Sequence, residues 1–194
     1  MLVGEFNPSG KLPATFERRW EDSAVFHSYY PATPAGDKAD KKVVYSEGVF
    51  VGYRHFDQTG RKPLFPFGHG LSYTKFKLGA LAVSPETLEG DGPITVAFDV
   101  TNVGHRDGAE VVQVYVGDKH APVARPPKEL KGFVKVSLKP GESKRAQVTL
   151  NRRAFSYYDA AAKQWTAAPG EFEILVGTSS QEIALRGRVQ LHGN

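Results

Sequence analysis

From Lys75 onward, apolar and polar positions alternate with a period of two. Ile94, Val96, Phe98 and Val100 interleave with Thr95, Ala97, Asp99 and Thr101, the pattern of a half-buried strand. Val112, Val114 and Val116 repeat it, as do Val134, Val136 and Leu138, then Ala146, Val148 and Leu150, and then Phe172, Ile174 and Val176. Ile183, Leu185 and Val189 follow less strictly. Turn signals separate the runs at Asn102-Val103-Gly104, Lys139-Pro140-Gly141, Pro169-Gly170 and Gly177 to Ser180. With Phe76–Val83 added, the pattern predicts about seven short strands in roughly 115 residues, the spacing of an antiparallel β-sandwich able to fold on its own.

Residues 1–75 read differently. Asn7-Pro8-Ser9-Gly10 is a turn, and Lys11 to Phe16 is a short extended run interrupted by Pro13. The Ala-, Pro-, Asp- and Lys-rich stretch from Pro31 to Lys42 predicts an exposed loop. Between 47 and 74 the chain then concentrates large apolar and aromatic side chains among glycines and prolines. At roughly 1.5–3 kcal/mol per buried large side chain, such a segment predicts the wall of an interface. Val49, Tyr53 and Phe56 fall at i, i+4 and i+7, which suits a short helix, whereas Val49, Val51 and Tyr53 suit a strand. Pro63 and Pro66 exclude a helix interior across 63–70, and Gly68 and Gly70 make that piece a loop. So few regular elements do not make an independent domain. We therefore expect two units, 1–75 and 76–194, with the first packing on the second, on sequence outside this chain, or on both.

Composition removes several function classes. The formal charge of +4 is spread evenly, with ten Lys/Arg against eight Asp/Glu up to residue 75 and fifteen against thirteen after it. No basic patch for nucleic acid results, and the isolated pairs Arg18-Arg19, Lys41-Lys42 and Arg152-Arg153 read as solvated faces. There is no cysteine, which removes thiolate metal sites and, for a sandwich of immunoglobulin or fibronectin type III kind, a disulfide-bonded immunoglobulin domain. No apolar run has the 18 or more residues of a membrane span. Met1 to Pro8 is too short for a signal peptide, so the compartment stays open between periplasmic or secreted and cytoplasmic.

Tests for chemistry return structural readings. Gly4 to Lys11 has the wrong glycine spacing for a phosphate loop, and Leu12 stands where a hydroxyl is required. Gly70-Leu71-Ser72-Tyr73-Thr74 approaches a nucleophile elbow but ends in Thr and follows a Pro/Gly loop. The histidines at 27, 55, 69, 105, 120 and 192 show no metal-ligand spacing, and His55 and His69 read as hydrogen-bonded packing residues. Two carboxylate pairs have the residue types for glycoside hydrolysis, Glu47 with Asp57 and Asp107 with Glu110. Sequence gives neither pair a carboxyl separation that would support catalysis, and Glu47 suits a cap or a bond to neighbouring backbone. Trp165, Tyr157 and Tyr158, near a strand pair at the sandwich edge, could form a sugar-stacking platform, but core or inter-domain packing is the better reading. The expected sets of catalytic, cofactor-binding and metal-binding residues are all empty, and no cofactor is expected.

Several motifs nevertheless converge. Asn7-Pro8-Ser9-Gly10-Lys11-Leu12-Pro13-Ala14-Thr15-Phe16 resembles the NPSG(R/K)LPxTF signature near the end of the second domain in glycoside hydrolase family 3. Glu47 to Asp57 resembles that family's EGxxVGYRxFD segment, and Pro63 to Thr74 its PLFPFGHGLSYT stretch. Gly108 to Val116, Lys128 to Phe133 and Pro169 to Gly177 resemble its fibronectin type III-like domain. Phe172 departs from the Tyr of many relatives, which keeps the packing and removes a hydroxyl. The resemblance runs along the whole chain and is closest to the bacterial three-domain β-glucosidases.

It implies a mainly β chain, a fibronectin type III-like sandwich preceded by the end of an α/β sandwich domain. It implies a truncated protein whose partners are the N-terminal catalytic domains of the same enzyme, with a β-glucoside or oligosaccharide as substrate of the whole. The nucleophilic Asp and acid/base Glu of such enzymes lie upstream of the NPSG segment, so the chain alone is expected to be inactive. Neither nucleic acid nor membrane is expected as a partner, and homo-oligomerisation is left open. A free-standing carbohydrate-binding or docking module is the alternative.

Overall fold

A computed structural model of the chain describes residues 4–29 and 44–193, and the Pro31–Lys42 stretch lies outside them. Ten strands follow one another: β1 (Phe76–Ser84), β2 (Thr87–Leu88), β3 (Ile94–Asn102), β4 (Gly108–Gly117), β5 (Glu129–Leu138), β6 (Ser143–Leu150), β7 (Tyr157–Asp159), β8 (Gln164–Thr166), β9 (Gly170–Gly177) and β10 (Ile183–Leu191). They form a three-stranded sheet in the order β1-β3-β6, a five-stranded sheet in the order β2-β10-β9-β4-β5, and the separate β7-β8 hairpin. All pairings are antiparallel except that of β2 with β10. Every strand expected from the alternation is present, and the protein is mainly β.

The alternation explains the register. In β3, Ile94, Val96, Phe98 and Val100 are completely buried, while the intervening side chains keep partial access to water. Opposite them, Val112, Val114 and Val116 of β4 and Phe172, Ile174 and Val176 of β9 fill the space between the sheets. Phe155, on a 3-10 turn at Arg152–Phe155, meets Phe172 edge-on at 5.2 Å. Each such side chain stabilises the fold by about 1.5–3 kcal/mol.

One strand departs from half-burial. From Val112 to Gly117 nearly every residue of β4 is buried, so both of its faces are covered. Leu175 on β9 is likewise buried between core positions. The covering layer on the outer face comes from the first 75 residues. They contribute two short helices, α1 (Phe26–Tyr29) and α2 (Tyr53–Thr59), and a β-bridge between Phe16 and Phe65. The helix alternative for the 47–57 segment is the one realised, but it starts only at Tyr53, because Gly52 lies at φ 55°. Gly60 closes it in the left-handed conformation.

Candidate functional site

The helix α2 and the Pro/Gly loop behind it dock on the outer face of the five-stranded sheet. Tyr53 stacks on Phe67 at 5.1 Å and meets Tyr115 of β4 edge-on at 5.9 Å. Its hydroxyl accepts the backbone N–H of Leu130 at 2.9 Å. One turn on, Phe56 is buried. The Asp57 carboxylate accepts from Lys128 Nζ at 2.6 Å and from Gln181 Nε2 at 3.1 Å. Burial pushes the Asp57 carboxyl above its ordinary value against the pull of Lys128. Desolvation therefore outweighs attraction, and the pair specifies where α2 sits more than it stabilises the contact.

Beneath Tyr53 lies a closed polar relay. The Tyr115 hydroxyl donates to Gln113 Oε1, and Gln113 Nε2 donates to the carbonyl of Thr178 at 3.1 Å. Burial pushes the Tyr115 phenol far up, with Tyr53 and Asp57 adding to the effect, so it remains a donor. The loop joins this relay through Ser180, whose N–H donates to the Phe67 carbonyl at 2.9 Å. Gly68 crosses directly above Gln113 at φ +79°, and any Cβ there would collide with the amide.

The Asn-Pro-Ser-Gly turn straps this layer down. Asn7 Nδ2 donates to the Asp107 carbonyl at 2.8 Å, and its Oδ1 accepts from Ser72 Oγ and the Tyr73 N–H. Lys11 pairs with Glu110 at 2.7 Å. Backbone bonds link Leu12 to His69 and Gly68, and Phe16 to Leu64 and Phe65, so the extended run lies along the loop. At the entry to β1, Thr74 donates to the buried Asn102 Oδ1 at 2.6 Å. The Asn102 amide donates to the carbonyls of Arg106 and Leu138, and its Oδ1 also accepts from the Gly104 N–H. That single side chain joins the linker to both sheets with all its polar capacity used.

The opposite face of the layer is apolar and open. Phe16, Leu64, Phe65 and Leu71 are exposed, Leu71 by 74%. With Lys11, Leu12 and His69, three of them line a cavity of about 570 Å³. His69 stacks on Phe65 at 5.3 Å, and Phe16 meets Phe65 edge-on at 6.5 Å.

The structure does not assemble the carboxylate pairs into a site. Asp57 points to Lys128, while Glu47 accepts from the Ser28 hydroxyl at 3.4 Å and, among the described residues, from no neighbouring backbone N–H. Glu110 is engaged by Lys11, and Asp107 receives Asn7 on its carbonyl. Ser72 serves Asn7 and caps the Thr74 N–H. The His69 ring packs on Phe65, and among the described residues the buried His55 Nε2 has no hydrogen-bond partner. Trp165 and Tyr158 pair across the β7-β8 hairpin at 5.5 Å, with the Arg153 guanidinium over the indole. Among the described residues no group of His, Cys, Asp and Glu could hold a metal, and no helix is long and apolar enough to cross a membrane.

One cluster escaped the pattern reading. Buried Arg125 pairs with Glu129 at 2.6 Å and Asp118 at 3.4 Å and donates to the Phe155 carbonyl at 3.0 Å. Arg54 and Lys131 approach Glu129 as well. Burial raises the Glu129 carboxyl, but the Arg125 hydrogen bond and the three surrounding cations hold it below the usual value. Only the length of the loop between β4 and β5 hinted at this anchor.

The family 3 C-terminal domain of glycosyl hydrolases matches residues 1–53, and the fibronectin type III-like domain matches residues 110–180. Along its length the chain is similar to glycoside hydrolase family 3 proteins. It is 47% identical over 192 residues to the thermostable β-glucosidase B of Acetivibrio thermocellus, an alignment covering 99% of the chain and 24% of that protein. It superposes on a family 3 β-glucosidase from Bifidobacterium adolescentis with a TM-score of 0.88 at 40% identity, covering 98% of the chain and 27% of that structure. On β-glucosidase 3B of Thermotoga neapolitana in complex with α-D-glucose, the TM-score is 0.86 at 38% identity, covering 97% and 25%. The chain thus spans about a quarter of the length of these relatives.

Proposed function

We propose that this chain is the non-catalytic C-terminal portion of a β-glucosidase that releases terminal β-D-glucosyl residues by a retaining, two-carboxylate mechanism. In this reading residues 1–75 complete an α/β sandwich domain, and residues 76–194 are the fibronectin type III-like domain that stabilises the assembly. The acid/base and nucleophilic carboxylates stand on other domains of the parent, so the catalytic set within this chain is empty.

The observation that carries the reading is the two-sided layer formed by the motif segments. Its inner side is locked to the sandwich through Tyr53, Asp57, Asn7 and Thr74. Its outer side presents Phe16, Phe65 and Leu71 to water. An apolar face beside a tightly fixed one suits a domain interface. The names and lengths of the relatives supply the activity and the rest of the body.

The purified chain should hydrolyse no aryl β-glucoside. Mixed with the Acetivibrio thermocellus β-glucosidase B from which the matching region has been deleted, it should restore turnover. The Phe65→Asp and Leu71→Asp variants should restore far less. Turnover by the chain alone, abolished by replacing one of its own carboxylates, would overturn the reading, and so would a failure to complement at any ratio.

A further inference from the structure

A second pocket, of about 540 Å³, lies beside the β7-β8 hairpin, and its lining includes Asp91, Arg152, Arg153, Ser156, Gln164 and Trp165. It shares no lining residue with the apolar face. Its two arginines are held in different ways. Arg152 is fully engaged: it donates to the carbonyls of Gly90 at 2.8 Å and His192 at 3.1 Å, and its Nε lies 3.7 Å from Asp91. Arg153 lies over Trp165, its guanidinium carbon 3.4 Å from the ring centroid. Among the described residues the Arg153 guanidinium makes no hydrogen bond or ion pair, and neither does the Gln164 side chain, although the Arg153 carbonyl accepts the Ser156 N–H at 3.2 Å.

A guanidinium stacked on an indole has already lost much of its rotamer freedom, yet its in-plane N–H donors remain unspent. That is a preorganised fork for a carboxylate, which Arg binds through two parallel hydrogen bonds. Two arginines against Asp91 leave the pocket one net positive charge, enough for one carboxylate and no more. Trp165 remains half exposed, and Tyr158 meets it edge-on, so aromatic surface borders the fork. A flat apolar surface beside an amide and a cation is the chemistry that recognises a sugar ring bearing an acid group.

We propose that this pocket binds an acidic saccharide, a uronate pyranose, with the carboxylate on Arg153, the ring against Trp165 and the hydroxyls near Gln164. The site is independent of the proposed β-glucosidase reading and adds a polysaccharide contact.

The test uses the 194-residue chain and follows the Trp165 indole N–H by NMR, assigned through its loss in Trp165→Phe. The probes are trigalacturonate and its carboxyl-reduced, neutral counterpart. Trigalacturonate should shift the signal with a Kd of about 1 mM, weakening as salt screens the pair, whereas the neutral trisaccharide should bind roughly tenfold more weakly. Arg153→Gln should lower the trigalacturonate affinity by about tenfold while the other amide signals stay in place, and Arg153→Lys should restore only part of it. Equal shifts with both probes, unchanged binding in Arg153→Gln, or no shift at about 10 mM trigalacturonate would overturn the proposal.

Discussion

The sandwich and the layer that covers it are held by different physics. Between the sheets, contact is almost wholly apolar, with Phe98, Val114, Ile174 and Phe172 excluding water and no charge among them. Between the layer and the outer sheet, contact is dominated by directional groups: the Tyr53 hydroxyl, the Asp57–Lys128 pair, the Asn7 amide and the Thr74–Asn102 bond. Apolar burial is non-directional and tolerates sliding, whereas each polar bond admits one placement. The sandwich therefore supplies stability, and the layer supplies a defined position for a segment with little regular structure of its own. That division suits a body whose outer face must meet a further domain at a set angle.

Substitutions can separate the two. Phe98→Ala should cost about 3–5 kcal/mol and lower cooperative unfolding of the whole chain in urea. If it released only the layer, the sandwich would not be the stabilising body. Lys128→Met leaves the Asp57 carboxylate buried without its cation and should cost about 3 kcal/mol. The loss should appear in hydrogen exchange as early opening of α2, with β3 and β9 still protected; uniform loss of protection would erase the distinction. Asn102→Ala removes the one side chain common to linker and sheets and should cost about 2 kcal/mol, shared between both regions. Gly68→Ala forces a Cβ toward Gln113 from a left-handed backbone and should cost about 1–2 kcal/mol, confined to the layer.

The smallest effect is in pH. Glu129 is held below its ordinary value of 4.5, so its contribution is complete above that value and is lost as pH falls through the folded-state value. Asp57 runs the other way. Its folded-state value is raised, so its contribution is present below 3.8 and disappears as pH rises through the folded-state value. Glu129→Gln should flatten the acid limb of the urea midpoint, and Asp57→Asn should remove the opposing slope just above 3.8. An acid limb unchanged in Glu129→Gln would detach stability from the Arg125 cluster.

Legibility from the sequence tracked the range of the forces. The period-two runs from Ile94 to Val100 and from Phe172 to Val176 became strands at the expected positions, because a sheet face repeats every second residue. The same rule misjudged β4, where Gln113 and Tyr115 look like solvent positions and are buried. Nothing local tells a residue that a segment about sixty positions earlier covers it. The 47–57 run was ambiguous between helix and strand for the same reason, and Gly52 set the actual start. The carboxylates Glu47, Asp57, Asp107 and Glu110 had the residue types of a hydrolytic pair. Which cation or hydroxyl Glu47, Asp57 and Glu110 met depended on partners far along the chain.

The sequence by itself determined the strands, the turns and the aromatic character of 47–74, since periodicity, proline and glycine act within a few residues. Tertiary structure alone decided that this segment has two unlike faces, one clamped to β4 and one left apolar toward water. It also decided that Arg153 lies on Trp165 while its neighbour Arg152 is fully bonded. Those outcomes depend on which distant surfaces meet, and a hydrogen bond or a buried charge has no value until its partner is in place.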